Sequence, residues 1–461
     1  MDIEKRKRTA ILISITFATF INPFMISALG VALPSIGNDF QVSPGELGLV
    51  ETSYLMAAII LLLPIGKYAD KVGLGRIYIS GMAMFLITSL IIGISPSFNF
   101  LVGLRFIQGL SIAMLTATGA AILTKAYPTE QRGRVLGINI GSVYVGLSMG
   151  PFLGGLITEL YGWKSIFLIV AALSLIALVL ISRTLDFKKN KTNSRYNIKS
   201  AIQYALLISM IWFGFSYLHK NLFFIVLIIA GIIGFAYFLV HQDRSPNPIL
   251  DVRLFKTNKA FTMGNSLTFI NYASSVAVTF TFSLFLQYVR GLSPKEAGMV
   301  LIIQPVVMMV FAPISGRISD RFNPNILVFM GILSCTIGLL FVLTIGTDSP
   351  MYLIYILLVF FGLGFALFSS ANMNQVMSSV TTKYYGVASS MVGTMRTVGM
   401  LTSISIASGI FTLFIGNQQM APGLEDLFLQ GIRLSFIIFI LISALGLYIS
   451  YKMLKLPATT L

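Results

Sequence analysis

The chain has 461 residues, of which 56% are hydrophobic and only 10% are charged, and its formal net charge is +16. Soluble domains carry about 25% charged residues, so this composition excludes an ordinary water-soluble protein. The apolar residues fall in continuous blocks of about 20, the length that crosses a hydrocarbon core as a helix, which predicts an all-α membrane protein. A transmembrane β-barrel would instead show alternating segments of about 10 residues.

The positive charge follows the predicted membrane topology. With the N-terminus in the cytoplasm, most Lys and Arg residues fall in cytoplasmic segments, as the positive-inside rule describes. The terminal clusters, Lys5 to Arg8 and Lys452 with Lys455, predict that both termini of this cell-membrane protein are cytoplasmic. Nucleic-acid binding is not needed to explain the charge, and we do not expect it.

In chain order, the apolar blocks predict fourteen spans. They lie near 10–34, 46–66, 77–95, 99–124, 134–158, 165–183, 200–218, 221–241, 260–288, 297–315, 325–346, 351–374, 386–415 and 432–452. Two longer polar stretches, 186–199 and 241–259, divide them. The sequence therefore predicts an N-terminal six-helix bundle over 1–185, a linker with a two-helix insertion over 186–258, and a C-terminal six-helix bundle over 259–461.

A few ionisable residues lie inside the predicted spans, where a charge at the bilayer centre costs at least about 2.5–3.5 kcal/mol. Glu51 in span two is a candidate proton-carrying site coupled to Arg105 in span four. A solvated position near the outer surface, or a purely structural pair with Arg105, is the alternative. Arg105 and Arg396 could organise proton or substrate binding, or only bridge helices. The polar candidates for a path through the membrane, or for interhelical hydrogen bonds, are Asn22, Gln108 and Asn271.

The same signature, G-[KR]-x-[AS]-D-[KR], follows the second span of each half. Its glycines allow helix ends to approach closely, and its aspartate can cap a helix or pair with basic groups, which predicts a cytoplasmic gate. A solvated charged loop is the alternative. The gate residues are Gly66, Asp70, Lys71, Gly73 and Arg76 in the first half, and Gly316, Asp320 and Arg321 in the second. A parallel repeat of this kind is typical of transporters whose two bundles flank a central substrate path.

Span five carries glycines and a proline in the spacing G-x8-G-x3-G-P-x2-G-G. Glycines at this spacing make a smooth face for close helix packing, and a proline bends the helix. A generic small-residue interface is the alternative. The residues are Gly137, Gly146, Gly150, Pro151, Gly154 and Gly155.

Together these motifs resemble the major facilitator superfamily. The segment 66–76 resembles the family's G-x-L-A-D-[RK]-x-G-[RK]-[RK] motif, and span five resembles the motif of its antiporter members. Arg105, Gln108 and Gly109 resemble R-x-x-Q-G, and the segment 247–255 resembles the P-L-L-D-L-R-L-F of the fourteen-span drug:proton antiporter branch. The resemblance implies the major facilitator fold and efflux of the multidrug, antiseptic or tetracycline type.

The first span departs from that branch's pattern, D-x-T-I-V-N-V-A-L-P. It keeps the stretch from Val31 to Pro34, but Met25 stands at the acidic position and Gly30 replaces the Asn. The usual carboxylate for cations or protons is therefore missing there. This departure argues against cationic-drug specificity and motivates the hypothesis for Glu51.

The combined prediction is a proton-coupled secondary transporter that exports amphipathic organic compounds by alternating access, as a monomer in the lipid bilayer. A lipid or lipid-precursor flippase of the same fold is the alternative. A non-transporting membrane sensor or scaffold is less favoured because it needs no gates. There is no Walker loop or catalytic triad, and His219 and His241 lie at opposite ends of the insertion, so we expect no enzyme activity, cofactor or metal site.

Overall fold

The computed structural model describes residues 2–185, 197–217, 223–245, 248–250, 252–319, 322–381, 385–416 and 418–455. Helices are the only regular secondary structure in these ranges, and a π-helical turn, Phe285–Val289, follows α11. The helices are α1 (Asp2–Phe40), α2 (Pro44–Val72), α3 (Leu74–Ile92), α4 (Phe98–Ala126), α5 (Thr129–Tyr161), α6 (Lys164–Thr184), α7 (Ile198–Tyr217), α8 (Phe223–Arg244), α9 (Val252–Thr257), α10 (Lys259–Ser275), α11 (Ala277–Leu284), α12 (Pro294–Leu301), α13 (Ile303–Ser319), α14 (Pro324–Val342), α15 (Met351–Ser378), α16 (Tyr385–Ile415) and α17 (Glu425–Leu454).

Thirteen helical segments of the described chain are long and apolar enough to cross a membrane. They coincide with thirteen of the predicted spans and confirm the all-α membrane architecture. At the seventh predicted span, the apolar helix described over Ile198–Gly214 is shorter than the others. The total of fourteen spans therefore stays a prediction.

The ninth and tenth predicted spans are interrupted helices. Lys259–Val289 is built from α10, α11 and the π-helical turn, and Pro294–Ser319 from α12 and α13. In the π-helical turn, the amide of Arg290 donates to the carbonyl of Phe285, at 3.1 Å. Such turns are rare and occur frequently at functional sites.

The chain folds into two compact units, each built from several segments. The first contains Met1–Leu29, Ser53–Gly150 and Ile157–Leu250. The second contains Gly30–Thr52, Pro151–Leu156 and Asp251–Leu461. Helices α1, α2 and α5 therefore contribute residues to both units.

In the first unit, the α7–α8 hairpin packs on α2. The hydroxyl of Tyr204 on α7 donates to the backbone carbonyl of Ile59 on α2, at 3.3 Å, and its ring packs against Phe235 and Phe238 of α8. One turn from these contacts, within the hairpin, Gln242 of α8 donates to Ser200 of α7 at 3.1 Å. The hydrogen bond of Tyr204 thus joins the insertion to α2, and the other contacts hold the two helices of the hairpin together.

In the second unit, helices α10, α14, α15 and α17 share an apolar core. Leu267, Val328, Ile332, Phe368 and Met453 are buried together, with partly buried neighbours around them. In lipid, apolar side chains gain little by leaving the acyl chains for a protein core. Close packing and polar contacts must therefore hold these helices together.

Candidate functional site

A buried guanidinium lies at the centre of the polar residues in the first unit. Arg105 on α4 is 1% exposed, and its NH1 donates to Oε1 of Gln108, one turn along the same helix, at 2.7 Å. The amide nitrogen of Gln108 donates in turn to the hydroxyl of Ser89 on α3, at 2.8 Å. The spacing of three residues places Arg105 and Gln108 on one face of α4, so the motif forms a continuous chain of polar groups.

An aromatic ring covers this guanidinium. The Cζ atom of Arg105 lies 4.2 Å from the ring centroid of Tyr54 on α2, a cation–π contact. The hydroxyl of Tyr54 donates to Oδ1 of Asn22 on α1. Four helices, α1 to α4, therefore meet around Arg105.

Gly109 explains how Tyr54 reaches this position. A Cβ atom on Gly109 would lie 2.9 Å from both the Tyr54 carbonyl carbon and the Ala57 Cβ, so α2 and α4 touch at this glycine. Any side chain at position 109 would push α2 away and withdraw the Tyr54 ring from Arg105. The glycine of R-x-x-Q-G thus has a direct packing role.

Met25 also contacts the guanidinium. NH1 of Arg105 lies 3.8 Å from the Met25 sulfur, and Met25 is fully buried. In the branch that the sequence resembles, this position carries an acid. The structure therefore puts a soft, neutral thioether where a carboxylate would face Arg105 directly.

Glu51 lies on α2, three residues before Tyr54, in the part of that helix that belongs to the second unit. Its side chain is half-buried, and its Oε1 would lie 3.9 Å from a Cβ atom on Gly30 of α1. The two departures in span one are therefore close to different predicted site residues: Met25 to Arg105, and Gly30 to Glu51. The coupling of Glu51 to Arg105 stays a prediction.

The remaining cavity candidates, Arg396 and Asn271, belong to the second unit. Arg396 on α16 is exposed, and Gly399 one turn later packs against the backbone of α10. Asn271 on α10 is 1% exposed, and neither of its amide atoms has a hydrogen-bond partner among the described residues. An unsatisfied buried amide costs about 1–3 kcal/mol, so Asn271 is suited to meet a polar group of a ligand or water.

The first predicted gate is a tight turn over an apolar layer. Gly73, with φ of 115°, is the single residue between α2 and α3, and this conformation favours glycine. Lys71 and Arg76 are exposed on either side of it, whereas Ile65, Ala69 and Ile77 are buried beneath. The place of Asp70 in α2 is described but its side chain is not, and Gly66 lies one turn earlier, beside Ala117.

In the second predicted gate, Gly316 lies in α13 with no atom within 4 Å of its would-be Cβ. Asp320 and Arg321 are outside the described residues. The amide of Asn374 on α15 donates to the carbonyl of Ser319, at 3.3 Å, at the end of α13.

The glycines of span five contact two different helices. Gly146 and Gly150 pack on α1, where their Cβ atoms would lie 2.6 Å from the Phe20 oxygen and 2.8 Å from the Phe24 oxygen. Pro151 and Gly155 instead meet the start of α12; Gly154 is buried beside them. Gly137 has no neighbour within 4 Å of its would-be Cβ, so close packing does not explain that position.

Sequence reasoning missed Tyr54, Ser89 and the contact made by Met25. Each of these residues comes from a different helix and follows no local pattern. The glycine at position 109 was the available signal, because a glycine beside a buried charge indicates that another helix approaches closely there.

Comparisons with known proteins agree with this architecture. The model of the Major Facilitator Superfamily matches residues 15–404 and 266–460. The riboflavin transporter RibZ of Clostridioides difficile is 30% identical over 407 residues, which cover 88% of this chain and 89% of that protein. The methylenomycin A resistance protein of Bacillus subtilis is 27% identical and the match covers 88% of each chain. The multidrug efflux pump LfrA of Mycolicibacterium smegmatis is 26% identical, over 86% of this chain and 79% of LfrA.

One solved structure shares the fold over nearly the whole chain. A bacterial homologue of the human lysosomal transporter Spinster, in an inward-facing and unoccupied conformation, superposes with a TM-score of 0.71 at 16% identity. The match covers 97% of this chain and 98% of that one. At this identity the likeness concerns the fold alone.

Proposed function

Because the chain belongs to the major facilitator superfamily, and is therefore a multi-pass membrane transporter, we propose that it exports amphipathic organic compounds in exchange for protons. Alternating access between the two sides of the membrane would couple the two movements, through rocking of the predicted N- and C-terminal bundles. The relatives named for resistance and multidrug efflux support export as the direction. We propose the cell membrane as its location, with both termini cytoplasmic and a monomer as the working form.

The observation that carries this proposal is the buried cluster around Arg105. A full charge inside a span is costly, and this one is buried and held in place by Gln108 on its own helix and by the ring of Tyr54 on α2. A structural link between helices does not need a charge, since the neutral amides of Asn372 and Gln375 on α15 donate to backbone carbonyls of α10. We therefore assign Arg105 an electrostatic role in the cycle.

Glu51 is our candidate for the proton carrier. It is a half-buried carboxylate on α2, and its helix also carries Tyr54 of the Arg105 cluster. A carboxyl in a poorly solvated place can exchange a proton near working pH, and a positive charge nearby would favour release. The acid that the related branch carries in span one is Met25 in this chain, which leaves this role open for Glu51.

Glu51→Gln should abolish transport driven by a pH gradient and leave the amount of protein in the membrane unchanged. Glu159→Gln is the matched control, because Glu159 is an exposed carboxylate near the end of α5. Transport of one substrate would be measured in vesicles with and without a pH gradient. Proton coupling that persists in Glu51→Gln at the level of the control would contradict this assignment.

For the substrate we propose neutral or acidic amphipathic compounds rather than permanent cations. Met25 cannot attract a cation as the acid of the related branch would, and its sulfur lies beside the positive charge of Arg105. Riboflavin is one candidate, because RibZ is similar over most of both chains. Antibiotics are a second candidate class, because two relatives are named for methylenomycin A resistance and for tetracenomycin C resistance and export.

The predicted motifs receive corresponding roles in this proposal. The segment 66–76 and the residues Gly316, Asp320 and Arg321 would close the cytoplasmic side. The glycines and proline of span five would keep α5 close to its neighbours during the cycle. Asn22, Gln108, Asn271 and Arg396 would contact the substrate or water along the path.

The test is a substrate panel on inverted vesicles containing the purified protein, with and without a pH gradient. It would compare riboflavin, a neutral planar antibiotic, an organic anion and a permanently cationic dye. We expect uptake of riboflavin, the neutral antibiotic and the organic anion that depends on the pH gradient, and little uptake of the cationic dye. Solute uptake that persists after the pH gradient is collapsed would reject proton antiport. Lipid scrambling without solute uptake would favour a flippase. If neither solutes nor lipids move, a sensor or scaffold would be favoured.

A further inference from the structure

The last turns of α17 carry the same pair of side chains twice. Tyr448 precedes Lys452 by one helical turn, and Tyr451 precedes Lys455 in the same way. The ammonium nitrogen of Lys452 lies 4.5 Å from the ring centroid of Tyr448, and that of Lys455 lies 4.4 Å from the ring centroid of Tyr451. Each ring therefore holds one ammonium group by a cation–π contact.

The two pairs form one continuous face of the helix. Their four positions follow the i, i+3, i+4, i+7 spacing, which places side chains one above another on a helix surface. All four side chains are exposed. The same face continues back along the helix as the exposed aliphatic residues Leu445, Leu441 and Ile437. It therefore changes from aliphatic to aromatic to basic toward the predicted cytoplasmic side. We call it the α17 stripe.

The opposite face of α17 is fixed against other helices of the second unit. Gly446 and Ser450 are buried, and a Cβ on Gly446 would lie 2.7 Å from Cγ2 of Ile270 on α10. The amide nitrogen of Asn325, at the start of α14, donates to the carbonyl of Met453 at 3.3 Å. This bond satisfies a carbonyl that the last turn leaves free, so ordered helix extends as far as the lysines.

The helices around α17 supply no carboxylate to the two lysines. Within their described ranges, α10, α14 and α16, which pack against α17, contain no acidic residue. The acids of α17 itself, Glu425 and Asp426, lie in its first turn, about 40 Å from Lys452 along the helix. The counter-ion of the two ammonium groups therefore does not come from these helices.

The corresponding span of the first half lacks such a face. Helix α6 ends with a single exposed arginine, Arg183, and the residues three and four positions before it are Leu180 and Val179. One cation in the last turn complements the helix dipole and follows the positive-inside rule. The two Tyr–Lys pairs of α17 are therefore more than a membrane crossing requires.

We propose that the α17 stripe binds one anionic phospholipid of the predicted cytoplasmic leaflet. The phosphate lies between the ammonium groups of Lys452 and Lys455, and one acyl chain follows the aliphatic part of the stripe. The rise from Lys452 back to Leu441 is about 16 Å, which matches the roughly 15 Å of one hydrocarbon leaflet. A zwitterionic headgroup fits less well, because its own ammonium group is repelled by the lysines.

The test measures lipid binding and needs no transport. The purified parent protein and Lys452→Gln/Lys455→Gln are titrated in a neutral detergent with phosphatidylglycerol, or with phosphatidylcholine of the same acyl chains, and bound lipid is counted by native mass spectrometry. The parent should bind one phosphatidylglycerol about tenfold or more tightly than phosphatidylcholine, because each lysine beside an anionic headgroup contributes about fivefold. The double variant should bind both lipids equally weakly.

Arg183→Gln and Arg433→Gln are the matched controls. Arg183 ends the corresponding helix of the first half, and Arg433 is exposed on α17 far from the lysines. Both variants should bind phosphatidylglycerol like the parent. The proposal is overturned if Lys452→Gln/Lys455→Gln keeps the parent's affinity, if the parent does not prefer phosphatidylglycerol, or if the controls lose the preference equally.

Two further measurements separate the α17 stripe from a diffuse positive charge. Tyr448→Leu/Tyr451→Leu keeps both lysines and the apolar surface but removes the rings, so it should lose part of the preference for phosphatidylglycerol. A preference that does not change in this variant would contradict the role of the rings. A large excess of inorganic phosphate should leave the lipid bound, because the acyl-chain contacts remain; complete displacement by phosphate would identify a site for soluble anions and overturn the lipid proposal.

Discussion

The fourth predicted span of each half is α4 in the first unit and α15 in the second, and the two helices use their buried polar side chains differently. On α4, Arg105 and Gln108 form a chain of side-chain hydrogen bonds that ends at Ser89. On α15, Asn372 and Gln375 donate to backbone carbonyls of α10, at 3.1 and 3.0 Å. The first arrangement centres on a full charge that a proton or ligand can influence. The second is uncharged and joins two helices.

A glycine allows close packing in both regions, but its neighbours differ. Gly109 lets the backbone of α2 approach α4 and so places Tyr54 over the charge. Gly264 on α10 makes room for the amide oxygens of α15; a Cβ there would lie 3.5 Å from Oδ1 of Asn372. The contrast teaches that buried polar side chains can have different functions although they are equally buried. We expect variants of the α4 residues to change transport and variants of the α15 residues to change stability.

The largest effect is expected at the charge. Arg105→Met should lower transport about 100-fold while the protein still reaches the membrane, because the electrostatic centre of the cluster is lost. Arg105→Lys keeps the charge but not the planar guanidinium, so it should retain only part of the activity. Vesicle transport normalised to protein amount is the measurement. Arg183→Met, at an exposed arginine in the last turn of α6, is the control.

An intermediate effect, on stability, is expected at the α10–α15 contact. Asn372→Leu removes bonds to the Gly264 carbonyl and the Thr268 hydroxyl, and interhelical bonds in membranes are worth about 0.6 kcal/mol each, up to about 1.7. The variant should unfold at a lower temperature but transport within about twofold of the parent, per folded molecule. A large loss of transport at unchanged stability would contradict the proposed difference between α4 and α15, because it would give the α15 amide a role in transport.

The smallest effect is expected at the insertion. Tyr204→Phe deletes one bond to a backbone carbonyl of α2 and keeps the ring packed on α8, so stability should fall by about 0.6 kcal/mol and transport should not change. Thermal unfolding in detergent and vesicle transport would be compared. Like the amide bonds of α15, the Tyr204 bond is a neutral donor to a backbone carbonyl, but it lies in the first unit. If Tyr204→Phe lowered transport, the sensitivity of transport would depend on the unit in which a bond lies and not on the kind of bond.

Hydropathy predicted the helices well but not their ends or interruptions. Span one was predicted over 10–34, whereas α1 extends over Asp2–Phe40, because a helix continues into polar sequence that hydropathy reads as loop. The break between α10 and α11 and the π-helical turn after them were not predicted. Their sequence is as apolar as a regular helix, and local composition does not specify which hydrogen-bond pattern the backbone takes.

Motif spacing placed Arg105 and Gln108 on one face of a helix, and it indicated close packing at the span-five glycines. It did not show that those glycines divide between two partners, with Gly146 and Gly150 against α1 and Gly155 against α12. A glycine pattern indicates that some backbone approaches, but the approaching helix is distant in sequence and leaves no mark nearby.

By itself, then, the sequence determined the helical membrane architecture, the family, and which few ionisable residues lie inside the predicted spans. It could do so because the length of an apolar segment and the cost of a charge in lipid are local properties. Only the tertiary structure decided which neighbours those charges meet. It put Met25 and Tyr54 at Arg105 and Gly30 at Glu51. It also brought the start of α2 against α16 and the start of α12 against α5, because contacts between distant segments depend on how all the helices pack together.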